Sequence, residues 1–155
     1  QNCKMKDGHG GVVLGSETSG NIRNVFAEDC EMDSPNLDRA LRIKTNSVRG
    51  GIIENVYMRN IKIGQVADAV LRINFQYQEG DVGEFTPIVR NINLENITCK
   101  NSKFGIRLSG YERSPILDIT LKNCIFEKVE TELLLEHYQN LRLENVRMNG
   151  KMVTL

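Results

Sequence analysis

The sequence repeats one pattern, Asn-h-x-h-x-Asn/Asp-h-x-h, in which h is an apolar residue. Five full copies occupy residues 24–32, 55–63, 91–99, 118–126 and 140–148, and residues 2–5 match the second half of a sixth. All twenty h positions of the full copies are apolar, whereas about eight would be expected from the 40% apolar content of the chain. A repeat this regular predicts that each copy forms the same structural unit.

Within each copy, apolar and polar residues alternate, which is typical of a β-strand with one buried face. The extra residue in the middle of the copy, always Asn or Asp, interrupts the alternation as a corner would. Asn and Asp tolerate the left-handed backbone conformation that such a corner requires. Each copy therefore predicts two short strands joined at a corner.

A third strand is predicted between successive copies. The segments Val12-Val13-Leu14, Leu41-Arg42-Ile43, Leu71-Arg72-Ile73, Ile106-Arg107-Leu108 and Leu133-Leu134-Leu135 supply it. The copies begin at residues 24, 55, 91, 118 and 140, so they are spaced too widely for hairpins, and no helical apolar spacing lies between them. Three strands per turn predict an all-β fold, a right-handed parallel β-helix of about six coils forming a single domain over residues 1–155.

In such a fold, equivalent residues of successive coils stack about 4.8 Å apart in columns. One column would contain Cys3, Cys30 and Cys124, and a second would contain Cys99. Buried thiols that pack as small hydrophobic groups are one interpretation of these positions. A disulfide bond between Cys3 and Cys30, on neighbouring coils, is the other. The absence of C-x-x-C spacing, with two histidines in the whole chain, gives no prediction of a metal site or of any cofactor.

Three variable segments are predicted to be loops that leave one corner of the coils: residues 33–39, 76–87 and 111–115. The middle loop is the longest and the richest in turn residues, and long loops in compact domains are often functional. It follows the strand that contains Arg72. Its Tyr77 is therefore expected beside the preceding coil, which contains Arg42 and Lys44.

Three arginines, Arg42, Arg72 and Arg107, occupy equivalent outward positions, and Lys44 lies on the same face as Arg42. Stacked like charges repel, so carboxylates are expected among them, from the protein or from a ligand. A solvated face paired with local Glu side chains is the alternative. His9 lies between two glycines, where a packed core residue is not expected and close approach of a partner is possible.

At these residues the chain resembles glycoside hydrolase family 28, the polygalacturonases and related pectin-degrading enzymes. Gly8-His9-Gly10 followed by Gly15-Ser16 is similar to one motif of the family, and Arg42-Ile43-Lys44 is similar to the next. The family's fold is a parallel β-helix, which agrees with the repeat.

The resemblance implies an inverting hydrolase of galacturonic-acid-containing polysaccharide, in which one Asp is the general acid and others activate water. His9 would assist those carboxylates, while Arg42 and Lys44 would bind the sugar carboxylate, with Tyr77 and Arg72 in the same subsite. The family's catalytic aspartates precede the Gly-His-Gly motif. Because seven residues precede Gly8 here, the chain is expected to be the C-terminal part of a longer β-helix and to lack them.

Two other functions stay open on the sequence alone: a non-catalytic carbohydrate-binding or structural β-solenoid, and a β-helix polysaccharide lyase. Twenty basic and twenty acidic residues balance, so neither a nucleic-acid nor a membrane partner is predicted. The resemblance implies that the parent protein is secreted or periplasmic, although the chain contains no signal sequence. Residues 1–17 would present unpaired strand edges, which predicts self-association or a companion segment there.

Overall fold

The protein is all-β in the computed structural model, which describes residues 1–155 and contains no helix. This agrees with the absence of helical spacing in the sequence. The eleven strands are β1 (Lys4–Met5), β2 (Val12–Leu14), β3 (Asn21–Glu28), β4 (Glu31–Met32), β5 (Arg39–Lys44), β6 (Ile52–Gln65), β7 (Ala69–Asn74), β8 (Ile88–Ser109), β9 (Ile116–Glu136), β10 (Tyr138–Met148) and β11 (Lys151–Met152).

Each repeat pairs with the next one in parallel and in the predicted register. The column of Val25, Val56, Ile92, Ile119 and Leu141 is confirmed, because each of these residues is the strand partner of the one before it. The third strands stack in the same way, from β2 through β5 and β7 to β8 and β9. The one antiparallel pair joins β10 to β11. The strands therefore form a mostly parallel sheet.

The corners form because asparagine and aspartate adopt left-handed backbone conformations there. Of the fourteen non-glycine residues with positive φ, eleven lie at the two Asn/Asp positions of the repeat. The sequence predicted such a conformation for the middle position only. The first position adopts it too, with φ of 57° at Asn55 and 57° at Asn91. Long strands such as β8 therefore bend at these residues instead of ending.

The corner side chains also hydrogen-bond from one repeat to the next. The Asn60 amide donates to the Asp29 carboxylate at 3.0 Å, and the Asn96 amide donates to the Asn60 oxygen at 3.1 Å. The row at the first position has the same arrangement, with Asn91 donating to Asn55 at 2.7 Å. Each corner therefore fixes both the local backbone and the register between repeats.

The inward positions form one continuous apolar core of 35 buried residues. Cys30, Cys99 and Cys124 lie in it, as predicted, with exposed fractions of 3%, 1% and 0%. The expectation that all four cysteines are core residues was wrong for Cys3, which is exposed because it lies just before β1, the strand at the end of the stack. All four thiols are free, so Cys3 and Cys30 form no disulfide bond.

The loops leave the stack at two corners, which corrects the prediction of one. Residues 33–38 precede the third strand β5 and lie beside residues 6–11, because the Gly8 amide donates to the Asn36 carbonyl. Residues 75–87 and 110–115 instead follow third strands. The first corner therefore holds His9, and the second holds the loop that contains Tyr77.

We expect Asn60→Ala to lower the free energy of unfolding by about 2 kcal/mol, since alanine loses two hydrogen bonds and adopts positive φ at a cost. Asn60→Gly should cost about half as much, because glycine adopts that conformation freely. Urea denaturation measures both. Lys62→Ala, on the outward face of β6, is the control, and equal costs for the two Asn60 variants would contradict the corner's backbone role.

Thiol labelling tests the assignment of the core. Cys3 should react with a soluble alkylating reagent in the folded protein, whereas the other three cysteines should react only after unfolding. Burial prevents access and raises the pKa of the Cys99 and Cys124 thiols to about 11, so little thiolate exists at neutral pH. Peptide mass spectrometry at pH 8 distinguishes the four sites, and rapid native labelling of Cys124 would contradict the predicted register.

Candidate functional site

The glycine-rich segment around His9 and the Arg-Ile-Lys strand are neighbours in space. Strand β2 pairs with β5, so that Val13 is the strand partner of Arg42. The Arg42 guanidinium Nη1 also reaches back to the His9 carbonyl oxygen at 3.4 Å. Two motifs that are about thirty residues apart in the sequence thus form one surface.

Two glycines allow this close approach. A Cβ atom at Gly15, whose φ is +90°, would lie 2.0 Å from the Lys44 carbonyl oxygen. A Cβ atom at Gly10 would lie 2.6 Å from the Val13 side chain and 3.4 Å from the Arg42 Cβ. Any larger residue at position 15 would push the segment away from Lys44. The glycines of the first motif therefore serve the placement of the second.

His9 is held by a carboxylate. Its Nδ1 lies 3.1 Å from the Asp38 Oδ2, and its side chain is otherwise exposed to solvent. An ionised carboxylate only accepts hydrogen bonds, so Nδ1 carries the proton and Nε2 is the free nitrogen of the ring. The backbone brings the two residues together, because the Asp38 amide donates to the Gly8 carbonyl at 2.9 Å.

Asp38 belongs to a network of alternating charges along this corner. Arg39 donates to Asp38 at 3.1 Å and to Asp68 at 2.7 Å, and Asp68 also accepts from Arg107 at 3.4 Å. Of the three stacked arginines, Arg107 therefore has the expected carboxylate, which it shares with Arg39. Arg42 and Arg72 form no ion pair with a carboxylate.

Arg42 and Lys44 differ from the ion-paired arginines, because neither has a carboxylate oxygen within 4.0 Å. Both lie over the ring of Tyr77, with the Lys44 Nζ at 4.7 Å and the Arg42 Cζ at 5.6 Å from its centroid. Burial and the nearby Arg39 charge lower the pKa of Arg42. Asp38 and Asp68 act on Arg42 from a distance and partly oppose that lowering of its pKa, but neither forms an ion pair with it. The surface therefore presents two cations and an aromatic ring without an ion-pair partner, an arrangement that can bind an anionic ligand.

Arg72 lies next in the column but is 7% exposed. Its Nη1 donates to the Ile73 and Arg107 carbonyls and to the Ser109 hydroxyl, at 3.1–3.4 Å. Burial, with repulsion from Arg107, lowers its pKa to about 10. This geometry indicates a supporting position under the surface, and direct contact of Arg72 with a ligand stays a prediction.

The structure thus brings four of the five predicted residues together: His9, Arg42, Lys44 and Tyr77. Sequence reasoning missed Asp38 and Asp68. The predicted third strands contained a usable signal for Asp38. Val12 pairs with Leu41, 29 residues later, and His9 is separated from Asp38 by the same 29 residues. Applying the local strand offset to nearby polar residues would have paired them.

No group of three or more His, Cys, Asp or Glu side chains is arranged to hold a metal ion. The chain also has no helix with the length and hydropathy needed to cross a membrane.

Curated relatives of the chain are polygalacturonases. The chain is 28% identical over 121 residues to a "Probable polygalacturonase" of Vitis vinifera, a match that covers 72% of this chain and 23% of the relative. It is 31% identical over 144 residues to a "Polygalacturonase" of Ralstonia nicotianae, covering 84% of this chain and 26% of the relative. The chain thus spans about a quarter of the length of these relatives.

Solved structures agree with this relationship. A hyperthermoactive exopolygalacturonase from Thermotoga maritima matches 97% of this chain and 34% of its own, with 37% identity and a TM-score of 0.87. A family 28 exopolygalacturonase from Yersinia enterocolitica matches 97% of this chain and 30% of its own, with a TM-score of 0.72; at 22% identity this likeness concerns the fold alone. The sequence model of the family described as "Glycosyl hydrolases family 28" matches residues 1–86, which include every predicted site residue. The chain therefore belongs to glycoside hydrolase family 28.

Proposed function

We propose that residues 1–155 form the part of an inverting glycoside hydrolase that binds the carboxylate of a galacturonic acid unit in pectin. Arg42 and Lys44 would bind the carboxylate, with Tyr77 against the sugar ring. The forked guanidinium can donate two hydrogen bonds to one carboxylate, while the ammonium adds a compact charge beside it.

The observation that supports this proposal most strongly is the contrast between two groups of cations on one corner. Arg39 and Arg107 form ion pairs with Asp68, whereas Arg42 and Lys44 lie in contact with an aromatic ring and form no ion pair. Two adjacent cations without ion-pair partners repel each other, and a bound carboxylate would relieve that repulsion. A neutral sugar, which carries no negative charge, would not relieve the repulsion.

His9 would assist the chemistry. With Nδ1 donating to Asp38, its Nε2 is available to accept a hydrogen bond from a protonated catalytic carboxyl group or from a reacting hydroxyl group. Asp38 would keep the imidazole in one tautomer and one orientation, as carboxylates do for histidines in many sites.

The acid and base themselves would lie outside this chain. Inverting hydrolysis needs two carboxyl groups about 6.5–9.5 Å apart across the scissile bond. Near His9, Asp38 and Asp68 already pair with arginines, and Asp7 accepts a hydrogen bond from the Ser34 hydroxyl. Carboxylates engaged in this way are poor candidates for a proton donor or a water activator.

The wider organisation forms part of the same proposal. Residues 1–155 would be a single right-handed parallel β-helix of about six coils, the C-terminal part of a longer one. A polymer such as pectin cannot enter a cell, so the parent protein would act in a secreted or periplasmic setting. Self-association through residues 1–17 stays a prediction, to which the end strands β1 and β2 are relevant because each pairs on one side only.

Arg42→Ala and Lys44→Ala should each weaken the binding of trigalacturonate to the chain by about tenfold, because each removes one charge-assisted contact. Isothermal titration calorimetry at low salt measures the change, and added salt should weaken wild-type binding. Arg42→Lys should recover part of the affinity but lose the bidentate contact.

Arg142→Ala is the matched control, since Arg142 lies on β10, outside the candidate site, and forms no ion pair. The neutral trisaccharide of galactose tests the ligand side and should not bind. The proposal fails if the Arg142 variant loses as much affinity as the Arg42 variant, or if the neutral sugar binds equally well.

The purified chain alone should release no reducing ends from polygalacturonate, because it would hold the carboxylate-binding residues without an acid and base. A reducing-sugar assay tests this against a complete polygalacturonase of the family as positive control. Hydrolysis at a rate comparable to that enzyme would mean that the acid and base lie within residues 1–155.

A further inference from the structure

We propose that Asn46 and Arg113 are positioning residues, which hold the loop of residues 75–87 from opposite sides and thereby set the Tyr77 ring against Lys44 and Arg42. The inference rests on the proposed function only for its consequence for ligand binding. The placement of the ring can be tested without any ligand.

Asn46 lies two residues beyond the end of strand β5 and is fully buried. Its amide nitrogen donates to the Tyr77 carbonyl at 2.9 Å and to the Glu79 carboxylate at 2.7 Å. Its amide oxygen accepts from the Val48 and Arg49 amides at 3.1 and 3.0 Å. Both polar atoms of this side chain are thus used twice. A residue just beyond the strand that contains Arg42 and Lys44 thus also holds the backbone of Tyr77.

The next residue extends this contact along the loop. The Ser47 hydroxyl donates to the Gly80 carbonyl at 3.2 Å and accepts from the Gly83 amide at 2.7 Å. The Phe85 amide donates to the Ser47 carbonyl at 2.9 Å. A Cβ atom at Gly83 would lie 2.3 Å from that carbonyl oxygen, so the backbone of the loop is in close contact with the backbone of Ser47. These hydrogen bonds to Ser47 therefore fix the inner side of the loop.

Arg113 holds the other side. Its guanidinium donates to both Asp81 carboxylate oxygens, at 2.6 and 3.3 Å, to the Thr86 hydroxyl at 2.6 Å, and to the Phe85 carbonyl at 3.4 Å. It also lies 5.4 Å from the centre of the Tyr111 ring, and the Tyr111 hydroxyl donates to the Phe75 carbonyl at the start of the loop. Residues that follow β8 thus hold the loop that follows β7.

The consequence concerns Tyr77. Asn46 holds the Tyr77 carbonyl directly, and Arg113 holds the loop from Asp81 onward. The Tyr77 ring is in contact with Lys44 and Arg42 at a distance at which a small displacement would end the cation–π contact. A ring that is already in place when ligand arrives leaves less conformational entropy to be lost on binding. Asn46 and Arg113 would act on affinity in this way without touching the ligand.

Asn46→Asp and Arg113→Lys test the proposal. The Asp variant keeps the acceptor for the Val48 and Arg49 amides but loses both donated hydrogen bonds and faces Glu79. The Lys variant keeps the positive charge but loses the guanidinium that donates to both Asp81 oxygens. Because the substituted side chain is exposed, the variant is expected to fold. Val82→Ala is the control, because Val82 lies in the same loop and is 76% exposed.

The first readout is the ring-current shift of the Lys44 ε-methylene protons in the NMR spectrum. The Tyr77→Ala variant, which has no ring, gives the reference chemical shift. We expect each positioning variant to lose at least half of this shift and Val82→Ala to keep it. Trigalacturonate affinity, the second readout, should fall by about fivefold in the same two variants.

An unchanged Lys44 shift in both positioning variants would overturn the inference, as would an equal loss in Val82→Ala. Circular dichroism melting identifies a variant that has unfolded, and the Arg113 variant then decides the outcome. If wild-type protein does not bind trigalacturonate but the shift still collapses in the variants, the positioning inference stands and the proposed function fails. The two ideas are thus tested separately.

Discussion

An asparagine that adopts a left-handed conformation and also hydrogen-bonds to its counterpart in the next repeat serves two purposes at each corner. The left-handed conformation turns the chain. The hydrogen bond between repeats fixes which residues of neighbouring repeats face each other. Because side chains alternate along a strand, a register error of one residue would exchange the buried and exposed sets. The apolar core, the stacked arginines and the pairing of the two motifs all depend on this register.

In the candidate site, the register between repeats decides which charged side chains lie next to one another. Repeat stacking places cations above one another, which is unfavourable unless anions lie between them. The chain meets this condition at Arg39 and Arg107 through Asp68, and at Arg72 through backbone carbonyls. It leaves Arg42 and Lys44 without such compensation. The two groups differ in whether a carboxylate lies within ion-pair distance, and ligand binding is inferred from that difference.

The strand register, the columns and the parallel pairing could be predicted because the repeat specifies them locally, through alternation and corner residues. The position of Tyr77 beside Lys44 followed from loop length and strand order. The exposure of Cys3, the second corner for residues 33–38 and the partnership of His9 with Asp38 could not be predicted in the same way. They depend on the end of the stack, on loop paths and on side-chain directions, which no periodic pattern encodes. The local offset of 29 residues between β2 and β5 would have suggested Asp38, had it been applied to polar residues as well as to apolar ones.

The corner rows have a direction, because every hydrogen bond in them runs from an asparagine amide to the side chain of the preceding repeat. Two of the three breaks in the rows lie at Asp29 and Asp118, whose side chains accept a hydrogen bond from the following repeat but have no proton to give to the preceding one. Deamidation of an asparagine such as Asn60 would create a further break and add a negative charge beside Asp29. Chemical ageing of this protein would therefore act on its architecture one corner at a time, and asparagine loss during prolonged heating would limit the lifetime of the stack.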